Sequence, residues 1–300
     1  MIQYIPAKTI VTKTKTSTWF GIDYNMNIYK GCCHGCIYCD SRSDCYRIQD
    51  FDQVRAKEDA LRIIRDDLRR KVKKGVVGTG AMSDPYNPFE KELNLTRHSL
   101  ELVDAFGFGA AIATKSTLLL RDADILECIR DHSPVLCKVT VTTMDEELAR
   151  RIEPGASLPS RRMDLVSHLR ARGIFAGILL MPVLPFLEDS QENILAIVRA
   201  ARQAGARFIY PAFGMTLRDS QRDWYFRKLE ELFPDRNLAI RYGKTYGNRY
   251  ECHCTNAKQL WKCFSLACEQ AGILYRMQDI ICAYKRGYEQ QNQQLSLFDI

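Results

Sequence analysis

The chain has 300 residues, 46% of them hydrophobic, with 43 Lys plus Arg against 36 Asp plus Glu and a formal net charge of +7. That length and apolar content bury a large core in one α/β catalytic domain, and the 12 irregularly spaced cysteines exclude a small disulfide-stapled secreted scaffold and fit a reducing compartment. No run reaches the about 18 apolar residues of a membrane span, and the opening MIQYIPAKTIVTKTK lacks a signal-peptide core, so a soluble cytoplasmic protein is expected.

Short β-rich runs follow one another along the chain: NMNIYKG from Asn25, GVVGTG from Gly75, GAAIATK from Gly109, VLCKVTVTT from Val135, GIFAGILLMPV from Gly173 and RFIYPAF from Arg207. Between them, helical periodicity predicts helices at about 56–73, 96–106, 122–132, 161–172 and 191–204, the first through Leu61, Ile64, Leu68 and Val72. Asp189 three residues before Glu192 reads as a capping box for the last of these, and Gly205 as its stop. Strand and helix alternate, which predicts an α/β fold of parallel βα units. Periodicity alone leaves a barrel and a doubly wound sheet open; in both, ligands gather at the strand C-terminal ends.

The segment GCCHGCIYCD sets Cys32, Cys36 and Cys39 in a CxxxCxxC array with Tyr38 before the last cysteine. Thiolates are soft ligands for iron–sulfur clusters and zinc, and a cubane held by three of them leaves one iron open to an exogenous ligand. Gly31 and Gly35 let the backbone fold tightly around an inorganic core. A zinc site completed by His34, Cys33 or Cys45 is the alternative reading of the same spacing. Further along, Cys252, Cys254, Cys263 and Cys268 with His253 form a second cysteine-rich patch, partly on an apparent helix, whose spacing matches no established ligand set. The adjoining RYGKTYGNRY mixes Tyr242, Tyr246 and Tyr250 with Arg241, Lys244 and Arg249, a composition able to stack bases and meet phosphates, and is expected as an exposed loop or edge strand.

In order along the chain, NIYKGCCHGCIYCDSR, SDPYNPFE, TKSTLLLRDADIL, VTTMDEELARRIEPG and MPVLPFLED resemble the radical S-adenosylmethionine (radical SAM) superfamily, in the branch that contains spore photoproduct lyase. The resemblance spans roughly residues 20 to 275. It implies a partial (β/α)6 TIM-type barrel with short N- and C-terminal extensions. The corresponding division is an extension over 1–19, a core barrel over 20–218, a helical, cysteine-rich extension over 219–288 and a flexible tail over 289–300.

By the same resemblance, Cys32, Cys36 and Cys39 would hold a 4Fe-4S cluster whose fourth iron chelates S-adenosylmethionine, and an electron donor would drive its reductive cleavage. Tyr38 would pack near the adenine, Ser83 or Asp84 would accept the methionine ammonium, and Lys115 would pair with the methionine carboxylate. Thr140 and Thr142, alternate residues of one strand, would share a face and bond the ribose. Each has a plainer reading: an ordinary turn for Ser83 and Asp84, a solvent-facing strand-end lysine for Lys115, and β-branched strand formers for the threonines. The branch carries a hydrogen-donating cysteine where this chain has Ala81, so lyase-like DNA repair does not transfer directly and no catalytic side chain is singled out. Cys128 and Cys137, in apolar sequence surroundings, read as buried structural cysteines.

Three functions follow as alternatives: radical chemistry on DNA or another nucleic acid, radical modification of a small molecule or protein, and a non-catalytic zinc-bound nucleic-acid module. After the polar spacer EQQNQQ, residues Gln294, Leu295, Ser296, Leu297 and Phe298 resemble the short peptide that docks repair proteins on the bacterial sliding clamp, with a tail folded back on the barrel as the alternative.

Overall fold

The computed structural model of the chain describes residues 2–288. Its strands are β1 (Gln3–Ile5), β2 (Val11–Lys13), β3 (Tyr24–Met26), β4 (Tyr29–Lys30), β5 (Arg55–Lys57), β6 (Val76–Thr79), β7 (Gly109–Thr114), β8 (Val135–Thr140), β9 (Ala176–Leu180), β10 (Ile209–Pro211), β11 (Gly214–Thr216) and β12 (Glu251–His253). The main sheet has seven strands in the order β10-β9-β8-β7-β6-β3-β2. All neighbours in it pair in parallel except β2, which runs antiparallel to β3. Each residue of β6, β8 and β9 is buried, because a parallel sheet is covered on both faces. Their apolar runs were therefore readable without any alternation.

The sheet curls around a lumen. Ile22, Val76, Ala111, Leu136, Leu179 and Phe208 meet there on the inner face, while Val77, Ile112, Val139 and Ile178 belong to the outer core under the helices. The five predicted helices occur at Ala60–Arg69, Leu95–Ala105, Ala123–Arg130, Pro159–Ala171 and Gln191–Gln203. The structure is the expected α/β partial barrel, with β10 and β2 as the outermost strands and a parallel bridge from Phe208 to Leu274 along the β10 edge. A further helix, Met277–Lys285, fills the base: Ile280 and Tyr284 join the lumen cluster, Tyr284 Oη donates to the carbonyl of Phe20 at 2.7 Å, and Lys285 Nζ donates to that of Gly21 at 2.6 Å.

Several local expectations need correction. The first helix stops at Arg69, so Val72 lies beyond it in the Lys-rich approach to β6 and is fully exposed. The cap of Gln191–Gln203 is Ser190, whose hydroxyl accepts from Asn193 N at 3.1 Å, one residue later than the Asp189 reading. RYGKTYGNRY is neither loop nor edge strand over most of its length: Leu238–Tyr246 is a helix with Tyr242 and Tyr246 buried, and only Tyr250 stands exposed. Tertiary burial of the rings overrides their strand preference. The segment after it is the expected helix, Ala257–Ala271. The antiparallel pair of β11 with β12 and the helix Asp219–Leu232 between them carried no clear periodic signal. No helix among the described residues is long and apolar enough to cross a membrane. Gln294, Leu295, Leu297 and Phe298 lie outside the described residues.

Candidate active site

The cysteine loop leaves β4 at Gly31, where φ is +83° and a Cβ would lie 2.5 Å from the carbonyl oxygen of Gln53, so only glycine permits this turn. Three backbone bonds fix the loop above the strand ends: Cys32 N to Phe51 O at 2.8 Å, Ile37 N to Ile152 O at 3.0 Å and Cys39 N to Cys36 O at 3.3 Å. As a result Cys32, Cys36 and Cys39 line one cavity of about 140 Å³, which Ser83, Lys115 and Thr140 also line. Burial pushes the Cys32 thiol up to about 12 and raises Cys36 and Cys39 as well. Three thiols that resist ionisation when empty-handed are poor free nucleophiles but good ligands, since a bound metal strips their protons.

Among the described residues no three His, Cys, Asp or Glu side chains converge closely enough to share one ion. Of the side chains that would complete a zinc site, His34 places Nδ1 3.3 Å from Asp84 Oδ2, whereas Cys33 and Cys45 do not line the cavity. In the second cysteine patch, the thiols of Cys252, Cys254 and Cys263 face the separate carbonyls of Arg249, Val183 and Leu260.

The chain's other predicted site residues separate into two groups. Asp84 is consumed by the fold: Oδ1 accepts from Thr114 Oγ1 at 2.7 Å and Tyr86 N at 2.9 Å, and Oδ2 from Lys115 N at 2.7 Å. Burial opposes its ionisation, but His34 and these donors hold its carboxyl below the ordinary range. Ser83 Oγ, by contrast, is buried and among the described residues has no hydrogen-bond partner. Of the pair it is the hydroxyl that is left to meet a ligand.

Lys115 Nζ lies 4.0 Å from Glu153 Oε1 and 5.6 Å from the Tyr38 ring centroid. Burial opposes its charge, yet Cys36 and Glu153 together outweigh burial and raise its pKa. Glu153 also accepts from the Tyr38 hydroxyl and pairs with the buried Arg162, so Tyr38 is clamped by its oxygen while its side chain lines a second cavity. Thr140 lines the cysteine cavity. Thr142 does not: β8 ends at Thr140, and Thr142 Oγ1 donates to Glu188 Oε1 at 2.6 Å instead.

The second cavity, about 480 Å³, opens beside the first and shares Cys39, Ser41 and Ala81 with it; Met181, Phe213 and the β12 residues Glu251 and His253 also line it. Ala81 thus stands between the two. Cys137 is buried in the outer core, but Cys128 is exposed on its helix, contrary to the apolar setting its sequence suggested. Glu153, Arg162 and Glu188 were not singled out from sequence, although Glu153 and Glu188 lie within the quoted segments VTTMDEELARRIEPG and MPVLPFLED.

Comparison with known proteins agrees with this geometry. The profile of the Radical SAM superfamily matches residues 26–198. An uncharacterised protein of Mycobacterium bovis is 32% identical over 246 residues, 80% of this chain and 72% of that one. An uncharacterised protein of Methanocaldococcus jannaschii is 31% identical over 249 residues, 82% of this chain and 88% of that one. Among solved structures, a spore photoproduct lyase variant with bound AdoMet and dinucleoside spore photoproduct superposes with a TM-score of 0.65 at 14% identity, over 88% of this chain and 78% of that one, a likeness of fold. With its profile match over more than half its length and these relatives, the chain belongs to the radical SAM superfamily and is a radical SAM enzyme.

Proposed function

We propose that Cys32, Cys36 and Cys39 hold a 4Fe-4S cluster and that the chain reductively cleaves S-adenosylmethionine to begin hydrogen-atom abstraction from a substrate in the adjoining cavity. The single observation that carries this reading is that the buried Cys36, the half-buried Cys32 and Cys39, an orphaned Ser83 hydroxyl and Lys115 line one cavity. When bound, the cluster supplies the electron and S-adenosylmethionine the radical. The chain's own residues position and shield. Ser83 Oγ accepts from the methionine ammonium, Lys115 pairs with its carboxylate, Thr140 is the ribose hydroxyl partner, and Tyr38, held by Glu153, presents its ring to the adenine. Asp84 acts through His34, Thr114 and the Lys115 backbone to hold the loop and strand ends together, and Thr142 acts through Glu188.

For the substrate we favour a nucleic acid. Near the second cavity, Tyr250 is exposed and Arg218, whose guanidinium donates to Asp40 Oδ2 at 2.7 Å, lies with Cζ 5.1 Å from the Tyr250 ring centroid, an aromatic–guanidinium pair suited to stacking a base. A small molecule or a protein segment is the second reading, supported by the small volume, about 140 Å³, of the cysteine cavity. Ala81 has no transferable hydrogen, so a lesion-repair reaction here needs a hydrogen donor other than the branch's cysteine. We further propose docking on a sliding clamp through Gln294, Leu295, Leu297 and Phe298, and residence in the reducing cytoplasm.

The decisive measurement is anaerobic cluster reconstitution followed by assay of 5′-deoxyadenosine formed from S-adenosylmethionine under reduction. Wild type should form it and Cys36→Ala should not; absence of product from reconstituted wild type defeats the proposal. Zinc without iron or sulfide after anaerobic purification would select the non-catalytic module.

A further inference from the structure

We propose that Lys138 is a receptor for an oxyanion, a carboxylate or phosphate, that the substrate carries into the barrel lumen. The site begins with strand alternation. On β8, Cys137 and Val139 face the outer core, Leu136 belongs to the lumen cluster and Thr140 lines the cysteine cavity, so Lys138 projects inward between those last two. Its register partners are Ala113 on β7, which lines the same cavity, and Gly177 on β9. Lys138 therefore stands next to the wall of the cysteine cavity, on the lumen side.

Lys138 is only 2% exposed. Its Nζ lies 5.0 Å from the Phe20 ring centroid, and among the described residues it has no hydrogen bond and no carboxylate partner. Burial lowers its pKa to about 7, with only the Cys137 thiol opposing. An ammonium in such a place is costly, and one aromatic face compensates it only in part. A leucine or methionine would fill the same volume without that cost. What the lysine adds is a positive charge that an entering anion can pair with, and desolvation makes such a pair strong.

This assignment rests on the proposed function in one respect: Lys115, beside the thiols, is taken to hold the carboxylate of S-adenosylmethionine, which leaves Lys138 for the substrate. The test uses the full chain, anaerobically reconstituted, as wild type and as Lys138→Met. Melting temperature is read without added anion, and with inorganic phosphate or acetate against chloride at equal ionic strength; affinity for S-adenosylmethionine is read by equilibrium dialysis. Phosphate or acetate should raise the melting temperature of wild type above the chloride control, as a ligand specific to the folded state does. Lys138→Met should lose that shift, melt higher than wild type without anion, and bind S-adenosylmethionine unchanged.

Wild type alone decides the first point, whether or not the variant folds: equal melting in chloride, phosphate and acetate overturns the proposal. A variant that keeps the shift, or that folds but melts lower without anion, overturns it too, the latter by making the lysine structural. Loss of S-adenosylmethionine affinity in the variant assigns the anion to the cofactor and overturns the substrate assignment. Failure of wild type to cleave S-adenosylmethionine would defeat the proposed function, while the anion response would still be readable.

Discussion

Glu188 shows how a buried carboxyl can shape the stability of a whole chain. It accepts from Thr142 Oγ1 at 2.6 Å and Leu184 N at 2.9 Å, yet burial dominates and raises its pKa to about 8. In the unfolded chain the value is about 4.3, so between the two the folded state binds the extra proton and stability falls as pH rises. The contribution is complete below the unfolded value and lost once pH passes about 8. Thermal melts across that window should therefore show wild type losing ground to Glu188→Gln as pH increases; parallel profiles would contradict the shift. Residues of this kind escape a reading of sequence. The cysteine trio was legible because its three members are neighbours on one loop, whereas Tyr38 and its clamp Glu153 are 115 positions apart. Thr142 misleads for a different reason: alternation pairs it with Thr140 only as long as the strand continues, and β8 stops at Thr140.

At the scale of elements, the six parallel strands and the helices between them were legible because burial on both faces leaves unbroken apolar runs, while the helices other than Pro159–Ala171, which buries Arg162, show an apolar stripe. Elements outside that alternation were harder. The helix Leu238–Tyr246 is specified by where Tyr242 and Tyr246 pack, including the bond from Tyr242 Oη to Pro185 O at 2.9 Å, and no local pattern encodes that partner. The helix Met277–Lys285 is similar: its worth lies in Ile280, fully buried against the lumen. Ile280→Ala should cost about 2–5 kcal/mol, the range for emptying a core site of this size, and a urea titration would register it as a lowered midpoint. A midpoint equal to that of wild type would show that this helix is not part of the cooperative unit.

On the scale of the whole molecule, the barrel brings its two cavities to one end, and the proposed clamp-docking residues lie in a separate stretch of chain. If the two act independently, Phe298→Ala should abolish binding to a bacterial sliding clamp, measured by surface plasmon resonance, while leaving 5′-deoxyadenosine formation intact; undiminished clamp binding rejects that docking mode. The fold has a further consequence at its base, where Tyr284 reaches back across 264 positions to Phe20. During synthesis all strands of the barrel and the cysteine loop emerge before the residues that fasten its floor. Contacts of such separation carry the largest loop-closure entropy and are slow to form. The nascent barrel consequently passes through an interval in which the thiols are already made and the lumen is still unsealed, and the emergence of Met277–Lys285 sets the earliest moment at which the interior can lock.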